Sequence, residues 1–116
     1  MKLSNHKAYL RIAFYLWMAC IWIGSLIPLG PPSSDNHGDK IEHFIGYAIL
    51  AGLAQLIWQQ PRRAWLLASL MGIAVELAQA CTSWRSFDVY DMLANTIGAA
   101  IGTLLAYLYL RHTQIT

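Results

Sequence analysis

The sequence predicts an all-α integral membrane protein, a single domain built as a bundle of four transmembrane helices. Of the 116 residues, 57% are hydrophobic and 12% are charged, whereas about 25% charged residues is usual in a soluble domain. Residues 12–34, 44–61 and 92–110 contain no Asp, Glu, Lys or Arg, and 64–84 contains only Glu76. Each segment is close to the roughly 20 residues that a helix needs to cross a bilayer. A soluble bundle would need polar outer faces, which these segments lack.

The first helix follows Lys2, Lys7 and Arg11 and resembles a secretory signal. No A-x-A cleavage site follows it, so we interpret it as an uncleaved anchor. Pro28 marks its end, because proline cannot continue a helix. The four helices are expected at about 11–29, 41–58, 63–83 and 89–110.

The orientation follows from the basic residues, because loops rich in Lys and Arg stay in the cytoplasm. Only Lys40 and Arg85 fall on the opposite side of a four-span protein. Both termini should therefore be cytoplasmic. The basic residues on the cytoplasmic side are Lys2, Lys7, Arg11, Arg62, Arg63 and Arg111.

The acidic residues show the opposite bias, since all of them fall in the outer half of the predicted bundle. A charge distribution of this kind does not suggest nucleic-acid binding. We expect membrane lipids as the immediate partners instead. The acidic residues are Asp35, Asp39, Glu42, Glu76, Asp88 and Asp91.

Three helices carry a stripe of small or polar residues at helical spacing, charged at its outer end. Ionisable groups at membrane depth usually face a protein interior or a water-filled cavity. The stripes should therefore converge, forming a tight inner seam and an outward-facing polar pocket, with the first helix on the back. The stripes are Asp39, His43, Gly46 and Leu50, with Tyr47 beside them; Ser69, Gly72, Glu76, Gln79 and Ser83; and Asp88, Asp91, Asn95, Gly98 and Gly102.

Simpler roles exist for most of these residues. Asp39, Asp88 and Asp91 could cap helices, and Lys40 and Arg85 could neutralise carboxylates or reach lipid headgroups. His43 could be a hydrogen-bonded interfacial histidine, and Tyr47 could serve packing. The GxxxG pair Gly98 and Gly102 could pack within the molecule or form a homodimer.

Glu76 is harder to explain by a simpler role. Capping does not account for a carboxylate near the middle of a helix, and lipid exposure would cost about 2–3 kcal/mol or more. A buried structural pair with Lys40, Arg85 or His43 remains the alternative to a functional role.

The segments "DKIEHFIGYAIL", "AVELAQA" and "RSFDVYDMLANTIGAAIG" resemble the VanZ-like membrane proteins. The similarity extends over about residues 37–105. It implies a small polytopic protein of the bacterial cell envelope, located in the bacterial cytoplasmic (inner) membrane. The family is named for resistance to teicoplanin, a lipid-bearing glycopeptide antibiotic that acts on cell-wall precursors. The matching residues are Asp39, Lys40, His43, Phe44, Glu76, Gln79, Arg85, Asp91, Asn95 and Gly98.

The first functional hypothesis is an outward-facing site that binds or modifies an amphiphile. Lys40 and Arg85 would hold an anionic group, and Gln79, Asn95 and Tyr47 would complete the binding site. The substrate would be a lipid-linked cell-wall precursor, a phospholipid or a lipidated antibiotic. The candidates for acid–base chemistry, or for holding a divalent cation, are Glu76, His43, Asp39 and Asp91.

The second hypothesis is a non-enzymatic membrane scaffold or partner subunit, whose polar residues only fix helix packing. Transport is a third option, for which a dimer could supply eight helices. No nucleophile elbow, H-E-x-x-H motif or phosphate loop is present in the sequence.

Overall fold

The fold is all-α, as predicted, with four helices in the computed structural model of the chain. The structure describes residues 2–27, 36–82 and 89–115. Within these ranges it describes the side chains of all residues except 2–6, 36–40 and 114–115. The bundle measures 50 × 23 × 20 Å. The helices are α1 (Lys2–Leu26), α2 (Asn36–Trp58), α3 (Pro61–Ala80) and α4 (Val89–Ile115).

The helix ends differ from the predicted bounds because hydropathy marks the part of a helix that fits a membrane and not the whole helix. α1 begins at Lys2 instead of residue 11, and α4 continues to Ile115 instead of residue 110. α2 begins at Asn36, five residues before the predicted start. α3 spans 61–80 instead of 63–83, and proline is favoured at its first position.

Three of the described helices are long and apolar enough to cross a membrane, in the stretches Lys7–Leu26, Ile41–Trp58 and Val89–Thr113. α3 is not among them. Its 20 residues reach about 30 Å, the thickness of a bilayer core. Arg62, Arg63 and Glu76, however, make it the least apolar of the four sequences.

The outer surface of the bundle carries large apolar side chains, as expected where helices meet lipid. Leu16, Leu70 and Leu105 each expose about three-fifths of their surface. The same kind of side chain also fills a core around Phe14, Leu50 and other buried residues. Apolar residues therefore lie both inside and outside the bundle. The buried polar groups, and not the apolar ones, indicate where to look for a functional site.

The closest helix pair is α2 and α4. A Cβ atom on Gly98 would overlap the carbonyl oxygen of Phe44, and one on Gly102 would overlap the carbonyl oxygen of Ala48. The GxxxG pair therefore allows backbone contact within the chain, which is one of its two predicted uses. A homodimer through the same glycines stays a prediction.

α1 lies against α2 and α3. The Trp17 indole Nε1–H donates a hydrogen bond to the Gly46 carbonyl at 2.8 Å. The Phe14 ring meets Trp58 edge to face with centroids 5.2 Å apart. These contacts attach α1 along α2 and leave the polar residues of α3 facing α2 and α4.

A two-residue turn joins α2 to α3. Gln59 has a φ of 54°, the left-handed conformation that commonly ends a helix, and its N–H donates to the Gln55 carbonyl at 2.8 Å. Gln60 is extended, as expected of a residue that precedes proline. So short a connection makes α2 and α3 an antiparallel hairpin.

Candidate functional site

The polar stripe of α3 faces the bundle interior over its described length. Ser69 and Gly72 are buried, and neither Glu76 nor Gln79 exposes any surface. The fifth predicted member, Ser83, lies outside the described residues. A helix that turns its charged and amide side chains inward needs polar partners on its neighbours.

Residues from three helices meet at Gly72. A Cβ atom there would lie 3.0 Å from Asn95 Nδ2 and 3.4 Å from Tyr47 Cε1. Glycine therefore makes room for an amide of α4 and a phenol of α2 in the same place. This contact brings together the three stripes in the way their spacing predicts.

The outer part of this junction contains two carboxylates. Glu76 lies one helical turn from Gly72 and, like Tyr47, is buried. Asp91 lies one turn before Asn95 on α4 and is 3% exposed. We name the set Tyr47, Glu76, Gln79, Asp91 and Asn95 the polar cluster.

His43 lies at the edge of the polar cluster. Its ring stacks parallel to that of Tyr47, with centroids 6.4 Å apart and 3° between the planes. The imidazole is half-buried, whereas Tyr47 is 1% exposed. The stacked pair thus extends the polar cluster from a buried phenol to a partly exposed imidazole.

α1 contributes to the cluster more directly than its predicted position on the back implies. The Gln79 amide Nε2 donates a hydrogen bond to the Ser25 carbonyl oxygen at 2.9 Å. Leu26 is the last residue of α1, so this carbonyl belongs to a helix end that lacks intrahelical partners. Gln79 thus ties the end of α1 to α3.

Several buried polar atoms of the cluster make no hydrogen bond with any residue that the structure describes. They are the Tyr47 hydroxyl, the Gln79 Oε1 atom and both amide atoms of Asn95. Leaving a buried group without a hydrogen bond costs about 1–3 kcal/mol. Water or a polar ligand would remove that cost, so these atoms favour a site that takes up a polar molecule.

Four predicted residues cannot be placed relative to the cluster. The side chains of Asp39 and Lys40 lie outside the described residues, as do Arg85 and Asp88 entirely. The anion-binding role of Lys40 and Arg85 and the acid–base role of Asp39 therefore stay predictions. An opening of the cluster to the outside also stays a prediction.

The described side chains include no group of three or more His, Cys, Asp or Glu placed to hold a metal ion. The cluster itself offers Glu76 and Asp91 as carboxylates. A divalent cation shared with Asp39 stays a prediction.

Sequence patterns did not indicate two further buried polar residues, Gln55 and Thr103. They are 2% and 6% exposed. Gln55 lies two helical turns after Tyr47, so extending that stripe inward would have found it. Thr103 directly follows Gly102 and lies off the stripe of α4, so the spacing did not indicate its burial. Two tryptophan hydrogen bonds to backbone, from Trp17 and Trp65, were also not predictable, because the sequence does not indicate which carbonyls a long side chain reaches.

Comparison with known proteins gives two matches. The sequence model of the VanZ/LLP1 family matches residues 5–110. An uncharacterized protein of the fission yeast Schizosaccharomyces pombe is 26% identical over 110 residues, which are 90% of this chain and 68% of the yeast protein. No solved structure matches. The VanZ/LLP1 match covers all five residues of the polar cluster.

Proposed function

The chain belongs to the VanZ/LLP1 family, and from this premise we propose that it binds or modifies an amphiphilic membrane molecule at the polar cluster. The observation that carries the proposal is the burial of Glu76, Gln79, Asp91 and Asn95 together between helices that are apolar outside. Buried polar networks without complete hydrogen bonding lower stability. Such a cost is typical of functional sites.

The yeast relative bears on the kind of ligand. It shows that proteins similar to this one are not confined to bacteria. A lipid or lipid-linked molecule found in both kinds of cell therefore agrees better with the comparisons than a purely bacterial one. The narrower proposal, for the bacterial inner membrane, is a lipid-linked cell-wall precursor or lipidated antibiotic, with a link to teicoplanin resistance.

The residues divide into two kinds of role. Glu76 and Asp91 are the candidate acids or bases, and His43 connects them to the surroundings. Tyr47, Gln79 and Asn95 would orient the polar part of the ligand by hydrogen bonds. Lys40, near the start of α2, and Arg85, in the sequence between α3 and α4, would hold an anionic headgroup.

A scaffold or partner subunit is the second candidate function. The tight junction at Gly72, where a Cβ atom would lie 3.0 Å from Asn95 Nδ2, favours it, because so close a fit leaves little room for a ligand. On this alternative, the polar cluster only fixes how the helices pack.

The substitution Glu76→Gln separates the two, because it keeps the size of the side chain and removes its charge. The matched control is Glu42→Gln, the same change at an exposed position of α2. Wild type and both variants would be expressed at equal membrane abundance in a glycopeptide-sensitive bacterium. Susceptibility to teicoplanin and vancomycin would then be measured.

We expect raised teicoplanin resistance from wild type and from Glu42→Gln, and its loss in a folded Glu76→Gln variant. Equal resistance in all three would favour the scaffold. If a well-expressed wild type leaves susceptibility unchanged, the proposed link to glycopeptides is wrong. The broader lipid proposal would then be tested by binding assays.

A further inference from the structure

A groove of about 930 Å³ lies at the end of the bundle away from Glu76, between the start of α3 and the middle of α4. From Arg62 to Glu76 there are 14 residues of helix, which at 1.5 Å each give about 21 Å. The basic mouth of the groove is therefore far from Glu76, and no residue of the polar cluster lines the groove. Its lining includes Arg62, Arg63, Trp65, Ala100, Thr103 and Tyr107.

The groove is apolar along its length and basic at its mouth. Ala100 lines it on α4 and is exposed. Arg62 and Arg63 are exposed at the mouth, and the Arg111 guanidinium lies 3.4 Å from the Tyr107 hydroxyl. An acyl chain with a negatively charged headgroup has the complementary distribution.

Among the described side chains, no Asp or Glu belongs to the parts of α2, α3 and α4 that form this end. Residues 43–75 and 92–116 contain no Asp or Glu. Pro61 has no N–H and the Ala64 N–H donates to the Gln60 carbonyl, so the remaining N–H groups at the start of α3 are those of Arg62 and Arg63. The Gln60 side chain makes no capping hydrogen bond to them. Such a helix start favours phosphate.

The groove wall contains a buried polar group as well. Thr103 is 6% exposed, and its hydroxyl forms no hydrogen bond to the described part of the chain. Trp65, on the facing wall, is held in place by an indole N–H donated to the Thr96 carbonyl at 3.2 Å.

We propose that this groove binds one anionic glycerophospholipid, with the phosphate at Arg62 and Arg63 and an acyl chain along Ala100 and Thr103. Basic pockets between membrane helices on the cytoplasmic side are known lipid sites. The positive-inside rule assigns the Arg62–Arg63 turn to that side. The proposal is independent of the function assigned to the polar cluster.

The test is a titration of the detergent-purified full chain, followed by native mass spectrometry. Phosphatidylglycerol and phosphatidylcholine with the same acyl chains are the two probes. We expect wild type to bind phosphatidylglycerol about tenfold or more tighter, because each basic residue contributes about 1 kcal/mol of attraction. Equal binding of the two lipids would overturn the proposal.

Two double variants test the charge. Arg62→Gln with Arg63→Gln should abolish the preference for phosphatidylglycerol. Lys7→Gln with Arg11→Gln removes the same number of charges from exposed positions of α1 outside the groove and should keep it. Equal losses in both double variants would show diffuse attraction to the basic end and contradict a defined site.

Two single variants test the groove itself. Ala100→Phe should fill it and weaken binding of both lipids, because the charge is unchanged but the acyl chain is excluded. Unchanged binding by Ala100→Phe would place the lipid elsewhere. Ala74→Phe, the same change at an exposed position of α3 outside the groove lining, should leave lipid binding at wild-type strength.

Discussion

Gly72 is the residue on which the geometry of the polar cluster depends most directly. A Cβ atom there would lie 3.0 Å from Asn95 Nδ2, 3.1 Å from Asn95 Cβ and 3.4 Å from Tyr47 Cε1. All three atoms belong to side chains, so the neighbours can move by a few tenths of an ångström. Gly46, by contrast, has nothing within 4 Å of an added Cβ.

We predict that Gly72→Ala lowers the free energy of unfolding by about 1 kcal/mol, because crowding of Asn95 and Tyr47 exceeds the gain in helix propensity. Gly46→Ala should raise it by about 0.5–1 kcal/mol through helix propensity alone. Thermal unfolding of both variants in one detergent provides the measurement. A Gly72→Ala protein as stable as Gly46→Ala would mean that the junction is loosely packed.

Gln59 has a backbone conformation that is unfavourable for a residue with a side chain. Its φ of 54° lies in the left-handed region, which costs a residue with a Cβ about 1 kcal/mol relative to glycine. We predict that Gln59→Gly raises the free energy of unfolding by up to about 1 kcal/mol. The neighbouring change Gln60→Gly, at an extended residue, is the control and should lower it. Denaturant titration of the two variants compares them.

At the scale of elements, the α2–α4 interface decides how the bundle packs. Gly98 and Gly102 meet backbone atoms of Phe44 and Ala48, and backbone cannot move aside as a side chain does. Small-xxx-small spacing predicted such a contact, but did not show whether the partner was within the chain. Which helix the glycines of α4 pack against depends on the shapes of both helices. The sequence of α4 alone does not determine it.

We predict that Gly102→Ala destabilises the protein by about 3 kcal/mol, because α2 and α4 must separate to admit one methyl group. Gly24→Ala is the matched control, since nothing lies within 4 Å of a Cβ atom added to that helical residue. Unfolding of both variants can be followed by the change in tryptophan fluorescence on heating. Comparable stabilities would contradict backbone contact at this interface.

At the scale of the whole molecule, the open question is whether α3 crosses the membrane. Its length matches a bilayer, and its short turn from α2 makes it run back along its neighbour. Its own composition does not identify it as a span, because Arg62, Arg63 and Glu76 lie within 20 residues. Burial of Glu76 inside the bundle removes one of these charges from lipid.

We predict that the two ends of α3 lie on opposite sides of the membrane. In sealed right-side-out vesicles, a membrane-impermeant maleimide should label the exposed Cys81 in a Cys20→Ser background. A Gln60→Cys variant that also carries Cys20→Ser and Cys81→Ser should be labelled only after the vesicles are opened. Labelling of both positions from the same side would show that α3 does not cross.

The sequence indicated the helices and the inward stripes because both depend on spacing along one chain. Glu76, Gln79, Asp91 and Asn95 are buried as that spacing required. It did not reveal the hydrogen bond from Gln79 to Ser25 or the burial of Thr103. Those features depend on where one helix ends relative to another, which is a property of the assembled bundle.

The two-residue turn at Gln59 and Gln60 has a consequence for how the protein is made. A translocon releases a segment into lipid according to its own hydrophobicity, and each Arg or acidic residue at the centre of a segment opposes release by about 2.5–3.5 kcal/mol. α3 therefore depends on α2, which emerges from the ribosome first and can cover Glu76 with Tyr47. The unit of insertion is then the hairpin and not the single helix. Lengthening that turn would slow membrane insertion of the hairpin more than it would lower the stability of the folded protein.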